Sequence, residues 1–185
     1  MIDETLLLAI ENMGKAVDHV QAQFIGVRTG RANASLVDKI QVEYFGALVP
    51  LQQLASFQVP EARMLVVKPH DRGSIAAIEK AIQASDLGLS PSNDGVVIRL
   101  NFPALTEERR KEFVKVVKNM AEDGRIAVRN VRRDARKIFE TAKKDGDISQ
   151  DELDRAEKEL EQLTQSTVDT IDKAFARKEH ELLEV

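Results

Sequence analysis

Apolar residues recur along the start of the chain with the period of a helix. Leu6, Ile10, Met13, Val17, Val20, Phe24 and Val27 are separated by steps of 4, 3, 4, 3, 4 and 3. At about 100° per residue these positions share one face. The spacing predicts a helix from Asp3, a candidate N-cap, to about Arg28. It ends at "RTGRANAS", where Gly30, Asn33 and Ser35 favour a linker. A second helical pattern begins after Pro103, at Thr106, with Glu107 and Glu108 in the opening turn, where the helix dipole favours negative charge. Its apolar face reads Phe113, Val117, Met120, Gly124, Ala127, Val131 and Ile138, and Gly146 in "KKDGDIS" stops it. A third opens with Ser149 and Glu152 as a capping box and turns Leu153, Leu160, Leu163, Ile171, Phe175 and Leu182 inward.

Between the first and second patterns the period changes. "DKIQVEY", "ARMLVVK" and "VVIRLNF" are rich in Val and Ile and read as strands. "GSIAAIEKAIQASD" places Ile75, Ile78, Ala81 and Ile82 at helical spacing behind Ser74, a candidate cap, and "LGLSPSNDG" reads as a loop. The fold class expected is therefore α+β. Residues 1–30 and 105–185 form an elongated three-helix bundle, and a small α/β domain of residues 31–104, with mixed or antiparallel pairing, is inserted between its first and second helices. The chain crosses that boundary twice. Thr29, Gly30 and Arg31 on one crossing, and Asn101, Phe102 and Pro103 on the other, are the expected hinge.

The polar positions of the second helix raise a different question. Arg125, Arg129, Arg132 and Arg136 share a narrow face, and the same steps taken backwards meet Glu122, Lys118, Lys115 and Lys111, so seven of eight positions are basic. The net charge of the chain is nevertheless −4. Residues 105–137 carry 11 Lys/Arg against 6 Asp/Glu, whereas residues 138–185 carry 7 against 14. An elongated acidic ligand such as a nucleic-acid backbone fits the stripe, because guanidinium forks suit phosphates and the field of a local patch decays within about 8 Å. Two other readings stay open: a solvated helix face, and arginines paired across the bundle with the acidic third helix.

Composition narrows the chemistry. The chain has 185 residues, 43% of them hydrophobic and 4% aromatic, which favours aliphatic helix packing over an aromatic ligand pocket. With no Cys, thiolate metal sites and thiol nucleophiles are excluded. His19, His70 and His180 are scattered, without metal-ligand spacing. No phosphate-cradling loop, nucleophile elbow or dinucleotide fingerprint occurs, so no enzyme, metal or cofactor is expected. No stretch reaches the ~20 apolar residues of a membrane span and no cleavable signal pattern is present, so a cytoplasmic location is expected. On these residues alone, a helical adaptor or chaperone that grips acidic protein partners through the stripe remains open.

Four stretches carry a resemblance. "RTGRA" at Arg28–Ala32, "SDLGL" at Ser85–Leu89, "LTEERRK" at Leu105–Lys111 and "AVRNVRRDA" at Ala127–Ala135 resemble bacterial ribosome recycling factor, and the likeness extends over the whole chain. Two loop positions depart from the family pattern: "RANAS" lacks a Pro shortly after "RTGRA", and Ser90 stands where Asn is usual. The resemblance implies an L-shaped, monomeric molecule with the outline of transfer RNA. It implies binding to the post-termination ribosome and separation of its subunits together with elongation factor G and GTP. It also implies contacts to ribosomal RNA of the large subunit through Arg110, Arg129 and Arg132, with Lys118, Arg125, Arg133 and Arg136 as weaker candidates.

Overall fold

Three long helices and a small set of strands account for the chain in a computed structural model that describes Met1–Glu184. Val185, the last residue of the predicted bundle, lies outside the described residues. The long helices are α1 (Ile2–Ile25), α4 (Glu107–Asp145) and α5 (Gln150–Leu183). The segment between α1 and α4 holds β1 (Gln41–Tyr44), β2 (Ala47–Pro50), the single turn α2 (Leu51–Leu54), β3 (Ala55–Glu61), β4 (Met64–Pro69), α3 (Ile75–Gln83), β5 (Pro91–Asn93) and β6 (Ile98–Asn101). Two compact units result, one of Met1–Val27 with the chain from Arg110 onward, the other of Arg28–Arg109. The α+β class expected from the sequence is the class observed.

The helical unit is held by a seam of small and aliphatic side chains. From α4 the buried residues are Val117, Ala121, Gly124, Val128, Ala135, Phe139 and Ala142. On α1 the buried residues include Ala9, Met13, Val20 and Phe24, and on α5 Ala156, Leu160, Ile171 and Ala174. Gly124 marks a close approach of α4 to α1. A Cβ at that position would clash with Val20 Cγ2, while Ile171 Cδ1 of α5, at 3.4 Å, would be in ordinary contact. Val20 is itself buried and β-branched, which leaves it little rotamer freedom to retreat. Thr164 and Thr167 are buried on α5, their hydroxyls donating to the carbonyls of Leu160 and Leu163, each at 2.7 Å. That internal bonding makes a threonine acceptable in an apolar seam.

Several expectations are corrected here. The seam of α1 slips by one residue in its first turns: Thr5 and Ala9 are buried, whereas Ile10 is exposed and Leu6 only half-buried. On α4, Phe113, Met120, Ala127 and Val131 are half-buried and Ile138 is exposed, because the centre of the seam runs through Ala121, Val128, Ala135 and Phe139. On α5, Leu153, Leu163 and Phe175 flank the seam. Helix α1 begins at Ile2 behind Met1, so Asp3 lies in the first turn and is not the cap, and it ends at Ile25 on Gly26, short of Arg28. The chain stop at Gly146 (φ 83°) and the capping box at the start of α5 match expectation. Ser149 Oγ accepts from Glu152 N at 3.2 Å, and Glu152 Oε2 accepts from Ser149 N at 2.7 Å.

In the second unit every strand pairing is antiparallel. β1 and β2 form a hairpin, and β3, β4, β6 and β5 form a four-stranded sheet in that order. Alternation on β4 and β6 turns Leu65, Val67, Ile98 and Leu100 to one face, where they pack with Val42, Leu51, Ile75, Ile78 and Ile82. Two expectations are revised. The "LGLSPSNDG" stretch contains strand β5, which pairs with β6 although Pro91 and Asn93 are poor strand formers. Ser74 does not cap α3 through its side chain; Asp71 caps the preceding 3-10 turn by accepting from Gly73 N at 2.9 Å.

Gly124→Ala tests the seam. Alanine is the better helix former by about 1 kcal/mol, so an exposed site would gain stability. Here the added methyl forces α1 away from α4, and a loss of about 1–3 kcal/mol is expected. Urea denaturation followed by circular dichroism measures it, and a more stable variant would show that the approach is not tight.

Candidate nucleic-acid interface

Placed on the observed α4, the arginine stripe does not oppose the apolar seam. Helical geometry puts Arg125, Arg129, Arg132 and Arg136 roughly 80° from the buried line, rather than the roughly 150° that the face centred on Val131 and Ile138 predicts. The stripe is therefore a flank, and the neighbour it flanks is the acidic helix α5. This position decides what each cation does.

Arg125 is the most enclosed, with its side chain 19% exposed. Its Nε donates to Asp172 Oδ1 at 2.7 Å and its Nη1 to Glu122 Oε2 at 3.0 Å. Burial pulls its pKa down, but the bonds to Asp172 and Glu122 outweigh burial and lift it above the ordinary arginine value. Glu122 is held below the usual carboxylate range by its bonds to Arg125 and then to Arg129. Arg125 thus ties α4 to α5, a task that leaves it little reach toward an outside ligand.

Arg129, Arg132 and Arg136 are also paired but stand in solvent. Arg129 Nη2 bonds Glu122 Oε1. Arg132 Nη1 lies 3.4 Å from Glu161 Oε2, with the two side chains 38% and 63% exposed. Arg136 Nε lies 3.1 Å from Glu157 Oε1 and 3.0 Å from Glu140 Oε1. Exposed pairs of this kind contribute only about 0–1 kcal/mol, so they open readily. Arg133 donates to Asn130 Oδ1 at 3.1 Å and has no carboxylate partner among the described residues. Arg110 and Lys118 have no polar partner among the described residues. Lys118 falls on the stripe, whereas Arg110 and Arg133 lie about 70° to either side of it. The seven candidates therefore form a band along about 39 Å of one helix, not a single line.

The helical pattern of α4 alone does not reveal the α5 carboxylates that line the cleft beside the stripe. Asp154, Glu157 and Glu161 are spaced 3 and 4 apart on α5, the same helical signature that reveals the arginines. Pairing a basic stripe with an acidic one at matching spacing is the signal that finds them.

The residues expected to form the hinge are placed as follows. Gly30 has φ 79°, and a Cβ there would lie 3.4 Å from Leu105 N, so the two crossing segments run side by side at this point. Arg31 N donates to Thr29 Oγ1 at 3.4 Å. Asn101 ends β6, and Phe102 is buried in the core of the sheet unit, with its N–H bonded to Arg63 O at 2.8 Å. Pro103 follows as an exposed residue.

A family model described as ribosome recycling factor matches residues 20–183. The chain belongs to the ribosome recycling factor family. It is 56% identical to the ribosome-recycling factor of Thermobifida fusca and 55% identical to that of Enterococcus faecalis, each over 185 residues and the full length of both chains. A ribosome recycling factor solved in solution matches all of this chain and 98% of its own, at 40% identity and a TM-score of 0.83. A second match covers the full length of both chains at 42% identity and a TM-score of 0.71. It belongs to models for the T. thermophilus ribosome recycling factor and the E. coli elongation factor G bound to the E. coli post-termination complex. The long helices and the small sheet unit are thus those of the ribosome recycling factor family.

The division of labour on α4 has a measurable consequence. Arg125→Gln should lower stability by about 1–2 kcal/mol, through loss of two charge-assisted bonds. Arg133→Gln should stay within about 0.5 kcal/mol of the parent. Equal midpoints for the two variants in urea denaturation would show that Arg125 is not a clamp.

Proposed function

We propose that this chain binds the ribosome after the finished polypeptide has been released and, acting with elongation factor G and GTP hydrolysis, separates the subunits and frees the mRNA. The observation that carries this reading is the full-length match to a factor that sits with elongation factor G on a post-termination complex. In this reading the elongation factor hydrolyses GTP, and the chain contributes binding and leverage in the cytoplasm.

The anchor in this reading is the helical unit, residues 1–30 with 105–185, on ribosomal RNA of the large subunit. Arg129 and Arg132 supply exposed guanidiniums, Arg110 adds a cation without an internal partner, and Lys118, Arg133 and Arg136 extend the band. Such contacts position a protein on a backbone without reading sequence. Arg125 is a poor ligand for RNA here, because two carboxylates already hold it. The sheet unit, residues 31–104, is the lever on which elongation factor G acts. Thr29, Gly30 and Arg31, with Asn101, Phe102 and Pro103, frame the pivot. Phe102 moves with the sheet unit, since it is packed into that unit's core.

Co-sedimentation with purified large subunits across a salt series tests the anchor. Log affinity should fall linearly with log salt, each neutralised phosphate adding up to about 0.9 to the slope for duplex DNA and a comparable amount for folded RNA. A flat response would remove the basic band as the main contact.

The lever is tested by deleting Arg31–Ala104 and joining Gly30 to Leu105 with a short Gly/Ser linker. Gly30 and Leu105 already touch, so loop closure is easy. The truncated factor should bind large subunits and compete with the intact one, but it should not split ribosomes when elongation factor G and GTP are added. Light scattering reads the splitting, and substantial splitting by the truncated factor would show that the sheet unit is not the lever.

A further inference from the structure

The cleft between α4 and α5 contains more charge than an anchor alone requires. About 420 Å3 in volume, it is lined by Arg132, Arg136 and Lys158 on the positive side and by Asp154, Glu157 and Glu161 on the negative. The arginines are not held there by burial. Arg132 meets Glu161 at 3.4 Å, Arg136 meets Glu157 at 3.1 Å and Glu140 of its own helix at 3.0 Å, and both arginine side chains remain more than a third exposed. Lys158 has no polar partner among the described residues. Asp154 bonds Gln150 on its own helix, 2.8 Å away, and pairs with no arginine among the described residues.

A carboxylate and a phosphate present the same acceptor geometry to a guanidinium fork. We propose that Glu157 and Glu161 stand in for RNA phosphates in the free protein, holding Arg136 and Arg132 in position, and are exchanged for backbone phosphates when the α4–α5 cleft docks on RNA. Lys158 is the third cation of that site. The inference rests on the reading of the arginine band as an RNA anchor and adds its regulation.

The energetics favour exchange. Each exposed pair is weak, so giving it up costs little once a phosphate replaces the carboxylate. Glu161 returns to water easily, being 63% exposed. Arg132 and Arg136 are four residues apart, about 6 Å along the helix, so a ligand must offer two closely spaced phosphates to displace both carboxylates. Each displaced carboxylate then stands beside the incoming phosphate and opposes it, so a weakly held ligand does not complete the exchange. The carboxylates therefore discriminate against weak, incidental RNA contacts and hasten release after subunit splitting. They also explain how a stripe of arginines persists on a chain of net charge −4.

The test uses the full-length factor and purified large ribosomal subunits at fixed salt, with circular dichroism melting to confirm that each variant is folded. Glu161→Gln and Glu157→Gln should each tighten binding about 2- to 5-fold, the equivalent of one exposed pair. Asp154→Asn removes the same charge from the same cleft without touching an arginine, and is the control for the general field. In an Arg132→Gln background the gain from Glu161→Gln should disappear, whereas any gain from Asp154→Asn should persist. That difference is the coupling a double-mutant cycle measures.

Three results would overturn the proposal: no tightening by either Glu variant, an equal gain from Asp154→Asn, or a Glu161→Gln gain that survives without Arg132. If Arg132→Gln alone leaves binding unchanged, the RNA-anchor reading itself falls. If Arg132→Gln weakens binding and Glu161→Gln does not tighten it, the anchor stands and only the exchange is lost.

Discussion

The helical unit depends on one close approach. At Gly124 the backbone of α4 comes so near to Val20 of α1 that a side chain would clash, with Ile171 of α5 in contact behind it. Mid-helix glycine is unfavourable by itself, costing about 1 kcal/mol relative to alanine. It is retained where its absence of side chain lets three helices converge. Alanines at 121, 135 and 142 continue the same narrow seam on α4. Burial of Met13, Phe139, Leu160 and Leu182 around this seam then supplies the apolar contact that holds three long helices together.

Close packing also governs the electrostatics. The flank of α4 falls within side-chain reach of α5, and the guanidiniums of Arg125, Arg132 and Arg136 meet Asp172, Glu161 and Glu157. The same geometry grades the pairs. Arg125, enclosed and bound by two carboxylates, belongs to the fold. Arg132 and Arg136, half in solvent, remain available for exchange.

The sheet unit is built differently. Its core is a two-layer contact between one face of the antiparallel sheet and α3, with the β1–β2 hairpin closing the side. It joins the helical unit through two chain crossings, which at Gly30 and Leu105 lie against one another. Gly30 is constrained by its positive φ, which a residue with a side chain would adopt only under strain.

What the sequence determined by itself was whatever follows from local periodicity. The three long helices, the capping box at Ser149 and Glu152, the stop at Gly146 and the Val/Ile-rich strands are legible because each depends on residues within one or two turns. The family was legible too, since its motifs are runs of adjacent residues. Tertiary structure decided what depends on neighbours far along the chain. Thr164 and Thr167 read as polar and are buried, because a hydroxyl bonded to its own helix no longer needs water. Leu6 and Ile10 read as core but give way to Thr5 and Ala9, because the helix turns its narrower side toward its partners where they lie close. The same rotation on α4 moved the seam from Val131 and Ile138 to Val128 and Ala135 and brought the arginines alongside α5. A helical wheel fixes which residues share a face; only the distance to the neighbouring helix decides which face is buried and which charges meet.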